Sequence, residues 1–554
     1  MTDQAIAAAI ATSSGGLAAA ITPAALRERL ASGEEIAVID VREGGRHASD
    51  GHILLSVSLP LSRLELRVAA LIPRPSTPIV VYDGGEGNLA ARAARCLAEL
   101  GYTDIGLLAG GSAAWQAAGY ELFTGSNVLG KAFGEYAEHV YGTPHLSARE
   151  VKSRIDAGEN IVVLDSRPEQ EFLNFSIPGA IDLPGAELVY RFHQAVPDPD
   201  ALVVVNCAGR TRSIIGAQAL INAGVPNRVA SLANGTMDWL LDGFELQSGQ
   251  ANLAPPPSGA ALEAAKAAAR RLEQRFDLKI ITRNQLAVFE REAQAGRRSL
   301  YLLDVRTREE FEAARYPGSR AAPGGQLVQQ VGEWVGTQNS RIVLVDGPDR
   351  VRAAITASWL AQINWAEVFI LADGLDGKVE SGPATEVLAA PPPAIESLTV
   401  AQLRPLLDAG QAVVLDLDLS TAYRAGHIPG ARFVLRSRLL ADLPEPAGEV
   451  VLTSSDGVLA AFAAADILRA TGRTVRVLAG GTGAWRAAGL PLSSDVHPAS
   501  HPQEDLWLTP YQREDRFAAF RDYLDWEIGL VAQLERDRSA KFRTFPPNVA
   551  EAAA

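Results

Sequence analysis

One short loop of this chain of 554 residues places a thiol beside two guanidinium groups. The apolar run LVVVN leads into Cys207, and Arg210 and Arg212 follow within the next few residues. Ala208 and Gly209 are small, so the backbone can curl until successive N–H groups point inward and form an anion-binding nest. The helix predicted to follow adds the positive end of its dipole. We therefore predict an anion site that lowers the pKa of the Cys207 thiol and makes its thiolate a nucleophile.

The chain holds one other cysteine, Cys96, in the helical pattern AARAARCLAEL. In the alignment of the repeats described below, it corresponds to Leu220, and a cysteine that exchanges with leucine on an apolar face behaves as a small hydrophobic residue. Two cysteines form neither a disulfide framework nor a cysteine-based zinc site. We therefore expect no metal, no cofactor and a reducing, cytoplasmic location.

The elements around the loop recur four times along the chain. Each copy ends in a glycine-containing stretch, and these are LLAGGSAAWQAAGY at Leu107, SLANGTMDWLLDGF at Ser231, ILADGLDGKVESG at Ile370 and VLAGGTGAWRAAGL at Val477. Helical patterns alternate with short runs rich in Val, Ile and Leu, which are typical of strands buried on both faces. We therefore predict an α/β fold in which each copy is a doubly wound, mainly parallel sheet flanked by helices.

These repeats predict four tandem domains and a C-terminal helical tail, at 17–124, 143–250, 276–386, 396–494 and 503–545. The proline-rich segments NLAPPPSG and AAPPPAIE are typical of semi-rigid spacers, and the first join falls within 124–143. The aromatic and aliphatic spacing of the tail predicts one long helix that packs on a neighbouring domain, with a dimerisation helix as the alternative. The first residues lack the basic start of a secretory signal, so we expect a mobile or weakly helical lead-in.

The charge and the hydropathy pattern exclude two classes of partner. The net charge of −14 argues against general nucleic-acid binding, because nothing offsets the repulsion from phosphates. No apolar run reaches the roughly 18 residues that a membrane span needs. We expect neither a nucleic-acid nor a membrane partner.

The four copies differ at the residue that aligns with Cys207. The first copy has Asp83 there, the third has Asp346 and the fourth has Ser454. The pattern of strands and helices around this position is therefore common to all copies, while only the second copy has a thiol there. We expect the other three copies to be inactive.

Several motifs carry a resemblance to a known family. They are the Asp-x-Arg sequences at Asp40, Asp165 and Asp304, SIPGAIDLP at Ser176, GHIPGA at Gly426, and the LAGG…W stretches. With the Cys207 loop, they make the chain similar to a rhodanese-family sulfurtransferase with four tandem rhodanese domains. Only the second domain has the catalytic cysteine.

The resemblance implies that Cys207 takes a sulfane sulfur from a small anionic donor, becomes a persulfide, and passes the sulfur to cyanide or a thiol. The substrate-binding residues that it implies are Ala208, Gly209, Arg210, Thr211, Arg212 and Ser213. Asp165 and Arg167 are implied as structural residues near the site. The loop has its glycine one place earlier than many family loops and lacks an arginine directly after the cysteine, but its two arginines favour an inorganic anion such as thiosulfate.

Two other functions fit parts of the pattern. Dual-specificity phosphatases of this fold have five residues between cysteine and arginine, whereas four lie between Cys207 and Arg212, and the smaller ring suits a single sulfur better than a phosphate. Tandem domains without a thiol also suit a docking scaffold or a protein-to-protein persulfide carrier. An acceptor protein and a second copy of the chain in a homodimer therefore remain alternative partners.

Overall fold

The computed structural model describes residues 18–86, 88–377, 379–384, 386–444, 448–495 and 504–545. The predicted N-terminal lead-in lies outside these residues. Within them the chain forms four sheets of five strands, and each sheet has the order first, fifth, fourth, second and third strand of its domain. Neighbouring strands pair in parallel and helices flank the sheets, so the predicted α/β fold is confirmed.

The elements of the first domain are β1 (Ala19–Ile21), α1 (Pro23–Ala31), β2 (Ala37–Asp40), α2 (Gly44–Ser49), β3 (Val57–Ser58), α3 (Leu64–Leu71), β4 (Ile79–Tyr82), α4 (Asn88–Glu99), β5 (Ile105–Leu108) and α5 (Gly111–Ala117). Helix α6 (Val128–Tyr141) follows it. The elements of the second domain are β6 (His145–Leu146), α7 (Ala148–Asp156), β7 (Ile161–Asp165), α8 (Glu169–Asn174), β8 (Ile181–Asp182), α9 (Glu187–Ala195), β9 (Leu202–Asn206), α10 (Thr211–Ala223), β10 (Val229–Leu232) and α11 (Gly235–Leu241).

Helix α12 (Gly259–Arg275) leads to the third domain. The elements of that domain are β11 (Lys279–Ile281), α13 (Arg283–Gln294), β12 (Leu300–Asp304), α14 (Arg308–Ala313), β13 (Arg320–Ala321), α15 (Gly324–Gln329), β14 (Arg341–Val345), α16 (Val351–Ile363) and β15 (Glu367–Leu371). The elements of the fourth domain are β16 (Ser397–Leu398), α17 (Val400–Asp408), β17 (Ala412–Asp416), α18 (Ser420–Ala425), β18 (Arg432–Phe433), α19 (Leu439–Asp442), β19 (Glu449–Thr453), α20 (Val458–Thr471), β20 (Arg476–Leu478) and α21 (Gly481–Ala487). The tail contains α22 (Arg516–Asp537).

The join between the first two domains is a helix that packs closely on the second domain. A Cβ at Gly134 of α6 would lie 2.7 Å from Thr211 Cγ2, so the glycine lets α6 approach the start of α10. Thr211 lies where the loop after Cys207 enters α10, and α6 therefore packs against one side of that loop.

The tail helix is shorter than the sequence pattern predicts. Asp515 caps α22 by accepting a 3.0 Å hydrogen bond from Ala518 N, and residues 504–515 before it hold only a 3-10 turn at Pro510–Gln512. Phe520 and Leu524 pack on the second domain, while Leu530 packs on the first domain and α6. No helix of the described segments combines the length and the apolar character of a membrane span.

Candidate active site

Cys207 is the first residue after β9, a strand whose residues are all buried. It is 2% exposed and lies at the carboxyl end of a parallel strand, where ligands bind in open α/β sheets. Helix α10 begins four residues later and runs for 13 residues. The positive end of its dipole therefore lies beside the loop.

The glycine-containing stretch after β10 supports this loop. Thr236 N donates to the Cys207 carbonyl at 2.9 Å, and Met237 N donates to the Ala208 carbonyl at 3.1 Å. Gly235 has a φ of +57°, and a Cβ there would lie 2.3 Å from Cys207 O. Only a residue without a side chain allows α11 to approach the loop this closely.

The three other domains show what the start of the following helix can bind. Asp83, Asp346 and Ser454 each follow the equivalent strand directly and accept from the N–H of the third helix residue. These hydrogen bonds join Ala90 N to Asp83 Oδ2 (3.1 Å), Ala353 N to Asp346 Oδ2 (2.9 Å) and Ala460 N to Ser454 Oγ (3.4 Å). In the second domain the third helix residue is Ser213, whose N–H and side chain lower the pKa of the Cys207 thiol. The Ser213 hydroxyl itself donates to the Arg210 carbonyl at 2.7 Å. In every domain, the backbone amide of the third helix residue is therefore directed at the side chain that directly follows the strand.

The pKa of the Cys207 thiol nevertheless moves in the direction opposite to the prediction. Burial raises this pKa above its ordinary value, and the Arg212 charge and the Ser213 hydrogen bonds offset that effect only in part. Glu527 raises the pKa further. The prediction of a lowered pKa was wrong because it counted the nearby charges and omitted the removal of water.

Arg212 lies beside the thiol and is already paired. Its Nη1 and Nη2 donate to the two carboxylate oxygens of Glu171 at 2.8 and 2.9 Å. Its charge still acts on Cys207, since it lowers the pKa of the thiol. Arg212 is thus the loop arginine placed to stabilise negative charge on sulfur.

Arg210 points to α6. Its Nε and Nη2 donate to Glu135 at 2.7 and 2.8 Å, Nη2 also donates to Glu138, and Nη1 donates to Asn234 at 3.0 Å. Burial raises the pKa of Glu135 to about 7, although Arg210 acts in the opposite direction. The two loop arginines therefore have different surroundings, and Arg210 joins the loop to α6.

The rest of the loop is covered by the tail. Tyr511 donates from its hydroxyl to the Ala208 carbonyl at 3.3 Å, and Thr211 Oγ1 donates to Glu527 at 2.6 Å. The ring of Tyr523 comes within 3.3 Å of the position that a Cβ on Gly209 would take. The sequence did not predict these tail residues or the glutamates of α6 as part of the site. They are far from Cys207 in the chain and belong to no repeated motif.

Asp165 and Arg167 lie at the end of the neighbouring strand β7. Arg167 Nε and Nη2 donate to the Asp165 carboxylate, both at 2.9 Å, and both side chains are fully buried. Asn206, which precedes Cys207, donates to Asp165 Oδ2 at 2.8 Å. This buried pair therefore connects the two strand ends on which the loop rests.

A family model of the rhodanese-like domain matches residues 22–118, 147–242, 287–380 and 399–488, which together exceed half of the chain. The chain belongs to the rhodanese-like domain family. It is 43% identical to a thiosulfate sulfurtransferase from Pseudomonas aeruginosa, with a TM-score of 0.89 between the structures and coverage of 95% of this chain and 100% of that one.

Two curated relatives match a smaller part of this rhodanese-like chain. An HTH-type transcriptional regulator of Mycobacterium tuberculosis is 35% identical over 115 residues, and a putative sulfur carrier protein of Bacillus subtilis is 27% identical over 107 residues. The matches cover 20% and 19% of this chain. The chain spans about half the length of these relatives, at 50% and 56%.

The second cysteine of the rhodanese-like array lies in the first domain. Cys96 is half-buried, and its thiol donates to Glu65 Oε1 at 3.5 Å. Burial raises the pKa of Cys96, and Glu65 raises it further. A protonated thiol on a helix face fits the predicted packing role.

The raised pKa of Cys207 predicts the pH dependence of its reactivity. The thiolate is the reactive form, so the alkylation rate should keep rising with pH through and above the ordinary thiol value of 9.0. The measurement is the rate of Cys207 modification by iodoacetamide across pH, read by mass spectrometry of the Cys207 peptide. A plateau already reached below about pH 7 would mean that the thiol pKa is lowered in the folded protein.

Proposed function

We propose that this chain is a sulfurtransferase that moves a sulfane sulfur from thiosulfate or a similar donor through a Cys207 persulfide to cyanide or a thiol. One observation carries the proposal. The sulfur of Cys207 takes the place, in front of the third helix residue, that a carboxylate takes in the first and third domains. The similar Pseudomonas aeruginosa protein, which is named a thiosulfate sulfurtransferase, supports the same chemistry.

In the first step the Cys207 thiolate attacks the outer sulfur of thiosulfate. A new sulfur–sulfur bond forms, the sulfur–sulfur bond of thiosulfate breaks, and sulfite leaves with that electron pair. The proton of the resting thiol passes to solvent before the attack. The charge of Arg212, the Ser213 amide and the N-terminus of α10 stabilise the persulfide anion that results.

In the second step the acceptor attacks the outer sulfur of the persulfide. With cyanide, a carbon–sulfur bond forms, thiocyanate leaves, and the bond electrons return to Cys207 as a thiolate. The surroundings that stabilise the persulfide anion therefore also stabilise the leaving thiolate.

The other three domains lack this nucleophile at the strand end. We propose that they hold the second domain in place. Arg352 of the third domain donates to Glu187 of the second at 3.0 Å, and Arg436 of the fourth donates to Glu65 of the first at 2.7 Å. Buried ion pairs of this kind fix the geometry between neighbouring domains more than they add stability.

The test is a single-turnover experiment with thiosulfate and no acceptor. The proposal requires one sulfite to be released per active chain before cyanide is added, and thiocyanate to form only afterwards. Release of sulfite only when both substrates are present would point to direct transfer and exclude a persulfide intermediate.

A further inference from the structure

The tail helix α22 places a buried carboxylate over the Cys207 loop. Glu527 is 1% exposed, and its Oε1 accepts the 2.6 Å hydrogen bond from Thr211 Oγ1 at the start of α10. Its Oε2 has no hydrogen-bond partner among the described residues and lies 3.4 Å from where a Cβ on Gly209 would be. The carboxylate therefore points into the loop with one oxygen unsatisfied.

An unsatisfied buried carboxylate oxygen is costly, so other contacts must hold it there. The nearby ammonium of Lys131 does not donate to it, and instead lies 5.0 and 5.1 Å from the ring centroids of Tyr523 and Trp526. Apolar packing of Phe520 on the second domain fixes α22. Glu527 is thus kept in the loop mainly by the helix that carries it.

The other domains show that a carboxylate at this end of the helix is a recurrent arrangement. In the first and third domains the carboxylates of Asp83 and Asp346 accept from the third helix residue. In the second domain that place belongs to Cys207, and a carboxylate reaches the same helix end from a residue 316 positions later in the chain.

We infer that Glu527 occupies the place of the anionic group of the sulfur donor, and that it determines how tightly a dianionic donor binds. This inference rests on the proposed function. A thiosulfate dianion can reach the N-terminus of α10 only when α22 withdraws Glu527 from Thr211. The donor then replaces the carboxylate and gains the helix N–H groups and the charge of Arg212.

The experiment compares two alkylating reagents of similar size, anionic iodoacetate and neutral iodoacetamide, on the full chain carrying Cys96→Ser. Cys207 is then the single thiol. Rates are measured for this parent, for the parent with Glu527→Gln, and for the parent with Asp525→Asn, which removes the same charge from an exposed position of the same helix. The ratio of the two rates reports the charge beside the thiol, because movement of the tail admits both reagents alike.

We expect the ratio of iodoacetate to iodoacetamide rates to rise on the order of tenfold in Glu527→Gln and to stay within about twofold in Asp525→Asn. The KM for thiosulfate should fall in Glu527→Gln as well. An unchanged ratio in Glu527→Gln overturns the inference. Since alkylation requires no sulfur transfer, that result is distinct from a failure of the proposed function, in which the wild-type chain releases no sulfite from thiosulfate.

Discussion

Replacing Cys207 by serine is expected to lower thiocyanate formation from thiosulfate and cyanide by roughly a thousandfold or more. A hydroxyl keeps the shape of the side chain but cannot form a persulfide, so both steps are lost. Ser454 shows that the fold accepts a serine there, since its Oγ accepts hydrogen bonds from Gly457 N at 3.1 Å and Ala460 N at 3.4 Å. The variant should therefore fold normally. The measurement is the initial rate of thiocyanate production.

Two control variants test whether the activity depends on the Cys207 loop and not only on the presence of a thiol. Cys96→Ser should leave the rate nearly unchanged, because that thiol is protonated and packs on a helix face. Ser454→Cys in the Cys207→Ser background should restore no activity, because the fourth loop, SSDGVLAA, carries no arginine. Near wild-type turnover by Cys207→Ser would contradict the proposal that Cys207 carries the sulfur.

Replacing Arg212 by methionine is expected to lower kcat/KM for thiosulfate by about a hundredfold. The change removes the positive charge that lowers the pKa of Cys207, so a smaller fraction of the thiol is ionised at neutral pH. It also removes the charge that stabilises the departing sulfite and the persulfide anion. The measurement is kcat/KM from initial rates at varied thiosulfate concentration.

Arg210→Met is the matched control for that prediction. Its guanidinium is held by Glu135, Glu138 and Asn234, whereas the arginine with the largest effect on the pKa of Cys207 is Arg212. We expect a clearly smaller loss of kcat/KM, together with a weakened contact between the loop and α6. Equal losses in the two variants would mean that the loop needs both arginines for the same purpose.

The sequence predicted the repeated fold and the position of the thiol because both depend on local pattern. The valines before Cys207 give a strand buried on both faces, and the small residues after it allow a tight turn into a helix. The same frame recurs in all four copies, so comparing them isolated the one loop with a thiol. The family resemblance also implied Asp165 and Arg167 as structural residues near the site, and the structure joins these two residues of one strand end in a buried pair.

The surroundings of the site could not be predicted in the same way. Tail residues lie against the loop at Ala208 and Gly209, and the residue that binds Thr211 is 316 positions away in sequence. Burial reverses the expected direction of the thiol pKa, and two tail residues, Tyr511 and Tyr523, lie against the same loop at Ala208 and Gly209. No short motif records which helix packs on which loop, because that depends on how whole domains meet.

The most direct test for a persulfide on Cys207 is mass spectrometry of the protein after reaction with thiosulfate in the absence of an acceptor. We expect the peptide containing Cys207 to gain the mass of one sulfur atom, and cyanide to remove this sulfur as thiocyanate. The peptide containing Cys96 should stay unchanged. No mass gain on Cys207, or a gain on Cys96 instead, would contradict the assignment of Cys207 as the residue that carries the sulfur.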